Sequence, residues 1–255
     1  MRFPVYIPSK GRPGVARTPK VLDRDGVPFR IVVEPSEFSS YADAYGASRV
    51  LELPKDGQGL IYSRNFCKRH AIAEGHAWHW QIDDDVTTFR KRTAVVGGKP
   101  KYGNALAGEV LAALEDLGTS YTNVAAVCPQ SLATIFGKIE DAYNQLMYTC
   151  VLFRSDVGAW WRVSPEDTDY TLQLLTLGWV TILSRKYAHN AVPTGTQAGG
   201  MESSRAGQGA RLVALKNLRK LWPSHIRIVE RNTFGHPSGT TRWSNFRQRP
   251  VKILT

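Results

Sequence analysis

The sequence predicts an α/β protein with a mostly parallel sheet flanked by helices, and three observations carry that reading. Short apolar runs end in loops rich in Gly, Pro and charge: RFPVYIP before SKGRPG, then FRIVVEP, then SRVLELP. A segment of helical spacing, GLIYSRNFCKRHAIAEG, stands between two such runs. The resulting alternation of strand, helix and strand is the pattern of parallel strands covered on both faces. A chain of 255 residues is long enough to bury a sizeable core in one main domain.

Taken in order, RFPVYIP is a buried strand, and Glu34 and Pro35 end the second strand, FRIVVEP. In the helix that follows SRVLELP, Ile61, Phe66 and Ile72 are apolar with Arg64, Lys68 and Arg69 between them. HAWHWQI is the next strand, and TAVVGGKPKYGN, with Gly97 and Gly98, is expected to be a loop. Residues 103 to 118 predict an amphipathic helix with Leu106, Val110, Leu114 and Leu117 on one stripe. VAAVCPQ and MYTCVLFR are further strands. PEDTDYTLQLLTLGW is a helix whose acidic first turn suits the positive end of the helix dipole, with Gly178 as its stop. WVTILSR returns to the sheet, and AVPTGTQAGGM is too rich in Gly, Thr and Pro to be regular. A last helix near 207 to 222 sets Leu212, Leu215, Leu218 and Trp222 against Lys216, Arg219 and Lys220.

Charge divides the chain. Of the 33 Lys and Arg and 22 Asp and Glu, residues 203 to 255 hold 11 basic and 1 acidic side chain, leaving 22 and 21 for residues 1 to 202. We therefore expect a core over 1–202 and a basic extension over 203–255. The extension interleaves its cations with Trp222, Phe234, Trp243 and Phe246, a composition suited to a polyanion such as DNA. Arg205, Arg211, Lys216, Arg219, Lys220, Arg242 and Trp243 are its candidate DNA contacts. A solvated basic surface is the plainer alternative. Cys67, Cys128 and Cys150 form no CxxC pair and are expected as reduced core thiols, and the opening MRFPVYIP carries no cleavable signal pattern and is too short to span a bilayer. A cytoplasmic location, in a bacterial host or phage-infected cell, follows as the expectation.

The stretch HWQIDDDVTTF places three carboxylates, Asp83, Asp84 and Asp85, at the end of a buried strand. Adjacent like charges repel unless a cation or water separates them. On an extended chain Asp83 and Asp85 face one side and Asp84 the other, and two oxygen donors with open positions suit Mn²⁺ or Mg²⁺ held together with a diphosphate. Pro8, Ser9, Lys10 and Arg12 at the first strand end, and Glu34 at the second, could receive a nucleotide there. His76 and His79 in HAWH are read as surface residues. His189 follows a strand and is a candidate third metal ligand. Trp160 and Trp161 are candidates for an acceptor pocket, with hydrophobic packing the alternative.

The succession IPSKGR, VVEPSE, GLIYSRN, QIDDDV and PEDTDYTLQLLTLGW resembles, over residues 3 to 190, the GT-A class of Rossmann-like sugar-nucleotide-dependent glycosyltransferases. GxxxxRN matches Gly59 to Asn65, DxD matches Asp83 to Asp85, and the acidic pair before a helix ending in GW matches Glu166, Asp167, Gly178 and Trp179. More narrowly, CVLFRSDV, PEDTDYTLQLL, GTQAGGM and the basic aromatic tail resemble the phage TET-associated glycosyltransferases, which modify 5-hydroxymethylpyrimidines in DNA. The resemblance implies that Asp85 binds the metal, Asp83 the donor ribose or the metal, and Arg64 and Asn65 the donor, a UDP-sugar by expectation. It implies Asp167, with Glu166 beside it, as the catalytic base. Gly199 and Gly200 of the glycine loop would close over the donor. The chain departs from the class at Leu172, Gln173, Leu174 and Leu175, where many members carry an arginine. Transfer to polysaccharide or protein, a non-catalytic DNA-binding module and a nucleotidyltransferase are the competing readings.

Overall fold

The computed structural model describes residues 1–134, 138–193, 199, 207–229 and 237–253. A 10-stranded mixed sheet forms its centre, built from β1 (Val5–Pro8), β2 (Arg30–Val33), β3 (Val50–Glu52), β4 (Trp78–Ile82), β5 (Val86–Val96), β6 (Lys99–Ala105), β7 (Val124–Ser131), β8 (Ala142–Tyr143), β9 (Cys150–Arg154) and β10 (Val180–Ala191). The order is β3-β2-β1-β4-β9-β7-β10-β5-β6, with β8 paired to β10. β1 to β4, β7 and β10 run one way, and β6 joins them through two antiparallel pairings. β9, β5 and β8 run the other way.

Six helices accompany the sheet: α1 (Arg17–Arg24), α2 (Phe38–Tyr45), α3 (Gly59–Ala73), α4 (Ala107–Thr119), α5 (Glu166–Thr176) and α6 (Gly207–Leu221). Residues of α1, α2 and α4, including Leu22, Tyr41, Val110 and Leu114, share one core layer with Val5, Ile7, Ile31 and Trp80. Residues of α3 and α5 lie in other layers: Cys67 and Ala71 with Tyr6 and Val32, Tyr170 and Leu174 with Phe153 and Trp161. Neighbouring strand residues therefore feed opposite layers, as the two-residue period of a strand requires. The chain fills β2 and β3 on one side of β1 and then crosses to place β4 on the other. The boundary between β1 and β4 is a switch point, where open α/β sheets form a crevice beyond their strand ends.

Several expectations are corrected. TAVVGGKPKYGN is a hairpin, because Val95 pairs with Pro100 and Val96 with Lys99 around the Gly97-Gly98 turn, whose positive φ values glycine tolerates. Its strands carry period-two patterning too weak to separate from a loop. The expected helix from 103 begins at Ala107, so Leu106 is its exposed N-cap and not part of the inward stripe, which Leu111 completes. The strand begun by WVTILSR continues to Ala191, so His189 lies inside it, opposite Phe89 and Ser131. MYTCVLFR becomes strand only from Cys150. α2 and the hairpin of β11 (Ile226–Val229) and β12 (Ser238–Thr241) had no strong apolar period to announce them, and α1 offers only Val21 and Leu22 as apolar inward residues beside Thr18 and Pro19.

The extension docks on the core. Leu218 and Ile226 pack on Leu172 of α5, with Trp222, Trp243 and Phe246 around them. Trp222 Nε1 donates to Asp169 Oδ1 at 2.8 Å, and Gln248 Nε2 to the Leu175 carbonyl at 2.9 Å. The last described residues return along the core: Asn123 Nδ2 donates to the Arg249 carbonyl at 2.8 Å, and Tyr121 forms a bridge with Lys252. As expected, Leu215 and Leu218 of α6 point inward while Arg211, Lys216, Arg219 and Lys220 are exposed. Arg205, Gly200 and Phe234 lie outside the described residues. Among the described residues, no helix is long and apolar enough to cross a membrane.

Candidate active site

The strand ends of β1 and β4 face each other through Asp84. Its carboxylate accepts from Ser9 Oγ at 2.5 Å and from Arg12 Nη1, and its carbonyl receives the amides of Arg17 and Thr18 at 2.8 and 3.1 Å, holding the start of α1. Arg12 is therefore turned inward as a counterion to Asp84. Tyr41 Oη bonds Ser9 Oγ at 2.8 Å and accepts the Arg12 amide at 2.9 Å, fixing the loop after β1. Pro8 closes β1 immediately before it. Lys10 Nζ pairs with Glu34 Oε2 at 2.7 Å, so the two strand-end residues expected at the nucleotide meet each other. Gly199 sits on this loop: its carbonyl accepts from Arg12 Nη2 at 3.2 Å. A Cβ there would stand 2.8 Å from the Gly11 carbonyl, at a φ of +79°, which reserves the position for glycine.

Asp84 and Asp85 form the turn that follows β4, with Asp83 between it and the strand. Asp83 turns to α3, where Arg64 Nη2 donates to its Oδ1 at 2.9 Å. The same Nη2 lies 3.6 Å from Oδ1 of Asp167 in the first turn of α5. Arg64 is 3% exposed, so a buried guanidinium joins the strand-end acid to the helix-end acid. Burial works against its charge, but Asp167, Asp83 and Glu166 outweigh it and raise its pKa above the ordinary arginine value. Withdrawal from water raises the Asp83 carboxyl above its usual range, against the pull of Arg64 and with the help of Glu166 and Asp84.

Asp85 is the acid left over. Its Oδ1 is buried and has no hydrogen-bond partner among the described residues, while its carbonyl takes the Val192 amide at 3.0 Å, tying the acid turn to the end of β10. Burial, then the charges of Asp83 and Asp84, push its carboxyl up to about 7. A divalent cation relieves that combination, so the donor set fits a Mn²⁺ or Mg²⁺ ion carried by one carboxylate and phosphate oxygens. Among the described residues, no three His, Cys, Asp or Glu side chains converge as a ready-made metal cage. His189 is fully enclosed, with Nδ1 lacking a partner among the described residues and its ring 6.4 Å from that of Tyr148. Burial lowers it to about 4, so it is neutral at pH 7.

Sequence reasoning missed the layer beneath Arg64. Gln81 Oε1 accepts from Arg64 Nη1 at 3.5 Å and its Nε2 donates to the Arg64 carbonyl at 3.1 Å. Gln81 meets His79 Nε2 at 3.1 Å, and His79 Nδ1 meets Ser155 Oγ at 2.9 Å. His79 is thus buried, correcting its surface reading. The signal was a glutamine and a histidine alternating with tryptophans in an otherwise apolar strand. Asn65 does not face the crevice; its amide pairs with both backbone groups of Trp161, at 2.8 and 3.1 Å. The two tryptophans part company, Trp161 being buried and stacked on Tyr170 at 3.9 Å and Trp160 exposed.

The mixed α/β sheet gathers acids and a buried arginine at its switch point, and the sequence profile described as TET-Associated Glycosyltransferase matches residues 3–200. The chain belongs to that family and is a glycosyltransferase. None of the curated proteins compared matches it. Similar solved structures include A197 from STIV, at 12% identity and TM-score 0.45, covering 75% of this chain and 86% of that one. A provisionally named nucleotide-diphospho-sugar transferase from Desulfovibrio desulfuricans has 13% identity and TM-score 0.42, over 87% and 98%. The mannose-1-phosphate geranyltransferase from Thermus thermophilus has 16% identity and TM-score 0.38, over 75% and 58%. These superpositions are loose, and the family match carries the assignment.

Proposed function

We propose that this glycosyltransferase moves a sugar from a nucleotide-sugar donor, a UDP-sugar in the favoured form, to the hydroxyl of 5-hydroxymethylcytosine or 5-hydroxymethyluracil in DNA. The observation that carries the reading is the Asp83–Arg64–Asp167 linkage at the switch point, which sets a carboxylate of α5 beside the strand end expected to hold the donor. Support for DNA comes from the family description and from the exposed Arg211, Lys216, Arg219, Lys220 and Arg242 of an extension docked on α5.

In this reading Asp167 accepts the proton of the acceptor hydroxyl as its oxygen forms a bond to the anomeric carbon. The bond from that carbon to the donor diphosphate breaks on the opposite side, which inverts the configuration. Arg64 keeps its proton throughout and faces the charge that gathers on the leaving group. Asp85 would hold the divalent ion, with Asp83 and His189 the further candidates, and that ion would supply Lewis-acid stabilisation of the departing diphosphate. Lys10 and Glu34, at the ends of β1 and β2, would exchange their mutual contact for the nucleotide. Gly199 would stay on the loop after β1 to complete the donor wall. Residues 1–202 would form the catalytic core and 203–255 the acceptor-binding part, acting on DNA in the cytoplasm.

The test is incubation with Mn²⁺, a panel of nucleotide sugars and DNA with or without 5-hydroxymethylpyrimidines, followed by mass analysis of the nucleosides. A hexose-sized mass gain on the hydroxymethylated nucleoside alone is the expected result. Donor cleavage without any gain on DNA would move the acceptor to a polysaccharide or protein.

A further inference from the structure

The segment between β9 and α5 is held by side chains from two helices. Lys68 Nζ donates to the carbonyls of Val157 and Ala159 at 2.6 and 2.7 Å. Asn65 brackets Trp161 through both backbone groups, and Gln173 does the same for Trp160, accepting its amide at 3.2 Å and donating to its carbonyl at 2.8 Å. These bonds immobilise a tryptophan that gains little burial from them, since Trp160 keeps 37% of its surface exposed. Its ring lies over the Lys68 ammonium, 4.5 Å from the centroid. Enclosing that ammonium is costly: burial lowers it to about 8. A merely structural loop needs neither a buried lysine nor a rigidly oriented exposed indole.

The same two helices carry the reacting pair. Arg64, Asn65 and Lys68 follow one another on α3, and Asp167 and Gln173 on α5. Lys68 is about one turn, roughly 6 Å, beyond Arg64, and Gln173 about 9 Å along the axis from Asp167. Trp160 is therefore held by the same two helices that carry Arg64 and Asp167, through residues one to two turns along each of them. The ammonium takes one face of the indole and leaves the other for a planar partner. A base in a duplex must leave the stack before its hydroxyl can be reached, and an aromatic surface compensates for the lost stacking.

We propose that Trp160 is the stacking platform for the extruded acceptor pyrimidine, with Lys68, Asn65 and Gln173 as positioning residues that orient it. This rests on the DNA-acceptor reading above. Trp160→Ala should raise the KM for hydroxymethylated DNA by roughly 5- to 100-fold, the range of one base stack, while the donor KM moves less than about twofold. Trp160→Phe should recover most of the loss. Lys68→Met and Gln173→Leu, checked for intact thermal unfolding, should shift acceptor KM in the same direction without moving the donor KM. A folded Trp160→Ala protein with unchanged acceptor KM, or one whose donor KM rises equally, overturns the platform and leaves the transferase reading intact. If wild-type protein glycosylates no DNA at all, the acceptor reading fails and takes the platform with it, an outcome distinct from an active wild type whose Trp160→Ala variant has an unchanged acceptor KM.

Discussion

The guanidinium of Arg64 reaches Asp167 across 3.6 Å, joining the interior of α3 to the first turn of α5. The same Nη2 also donates to Asp83, so one guanidinium bridges both acids. Arg64→Met leaves these acids without their cation and should cost about 3–5 kcal/mol of stability. Arg64→Lys should fold, since charge is retained. Its single ammonium cannot reproduce the fork that reaches Gln81, Asp83 and Asp167, so turnover should still fall at least about tenfold. Thermal unfolding and initial rates check both.

Asp167→Asn keeps the shape of the first turn of α5 and removes the proton acceptor. Turnover should drop by about 10²–10⁴, with the donor KM nearly unchanged. Steady-state kinetics separates the two parameters. Equal loss in both would place Asp167 in donor binding.

Asp85→Asn should improve the metal-free protein while abolishing metal-dependent activity. The native carboxyl titrates near 7, above the ordinary value near 3.8, so between those values the native state holds more protons than the unfolded one. Stability contributed at this site therefore falls as pH rises, and the cost is complete above pH 7. Without metal, the variant should exceed wild type by about 1–4 kcal/mol at pH 8 and match it near pH 4. Mn²⁺ should raise the Tm of wild type only. Calorimetry at the two pH values, with and without Mn²⁺, reads all three outcomes.

His79 gives the opposite pH dependence. Burial, then the charges of Lys68 and His76, hold it down to about 3, against an ordinary value of 6.5. Between those values the unfolded chain binds the extra proton, so stability falls as pH drops from 6.5 toward 3. His79→Gln should flatten part of that decline, by a few kcal/mol at most, with His189 accounting for a further part down to about 4. Denaturant titrations at pH 7 and pH 4 measure it.

How much of this was legible depended on what each residue's neighbours in sequence reveal. The strands β1 to β4 were plain because buried parallel strands are continuous apolar runs, and the Asp83 to Asp85 cluster was plain because three acids cannot follow such a run without a reason. The Asp83–Arg64 and Arg64–Asp167 contacts were not, since they span 19 and 103 positions and depend on how α3 and α5 lie against the sheet. The pairing of Arg12 with Asp84 was hidden for the same cause. A loop cation next to glycines suits a phosphate, and only the fold brings Asp84 to it first. The Lys68 ammonium was legible only as a charge between apolar positions of α3, and its cover by the segment after β9 depends on the fold.

The exposed cations of α6 should act additively on DNA. Neutralising Lys216 and Lys220 together should lower the slope of log binding constant against log salt by about 2 for a duplex, and leave donor turnover on a minimal acceptor unaltered. Anisotropy titrations across salt concentrations supply the slope. An unchanged slope would remove α6 from the acceptor surface.

The placement of donor and metal at the β1 and β4 strand ends is tested most directly by manganese anomalous scattering from crystals soaked with Mn²⁺ and a nucleotide sugar. We expect one peak beside Asp85 Oδ1, with the nucleotide lying along the loop after β1 and its diphosphate toward the Asp83–Arg64 pair. A nucleotide bound elsewhere, with the metal following it and the Asp85 carboxylate still without a cation, would contradict the account.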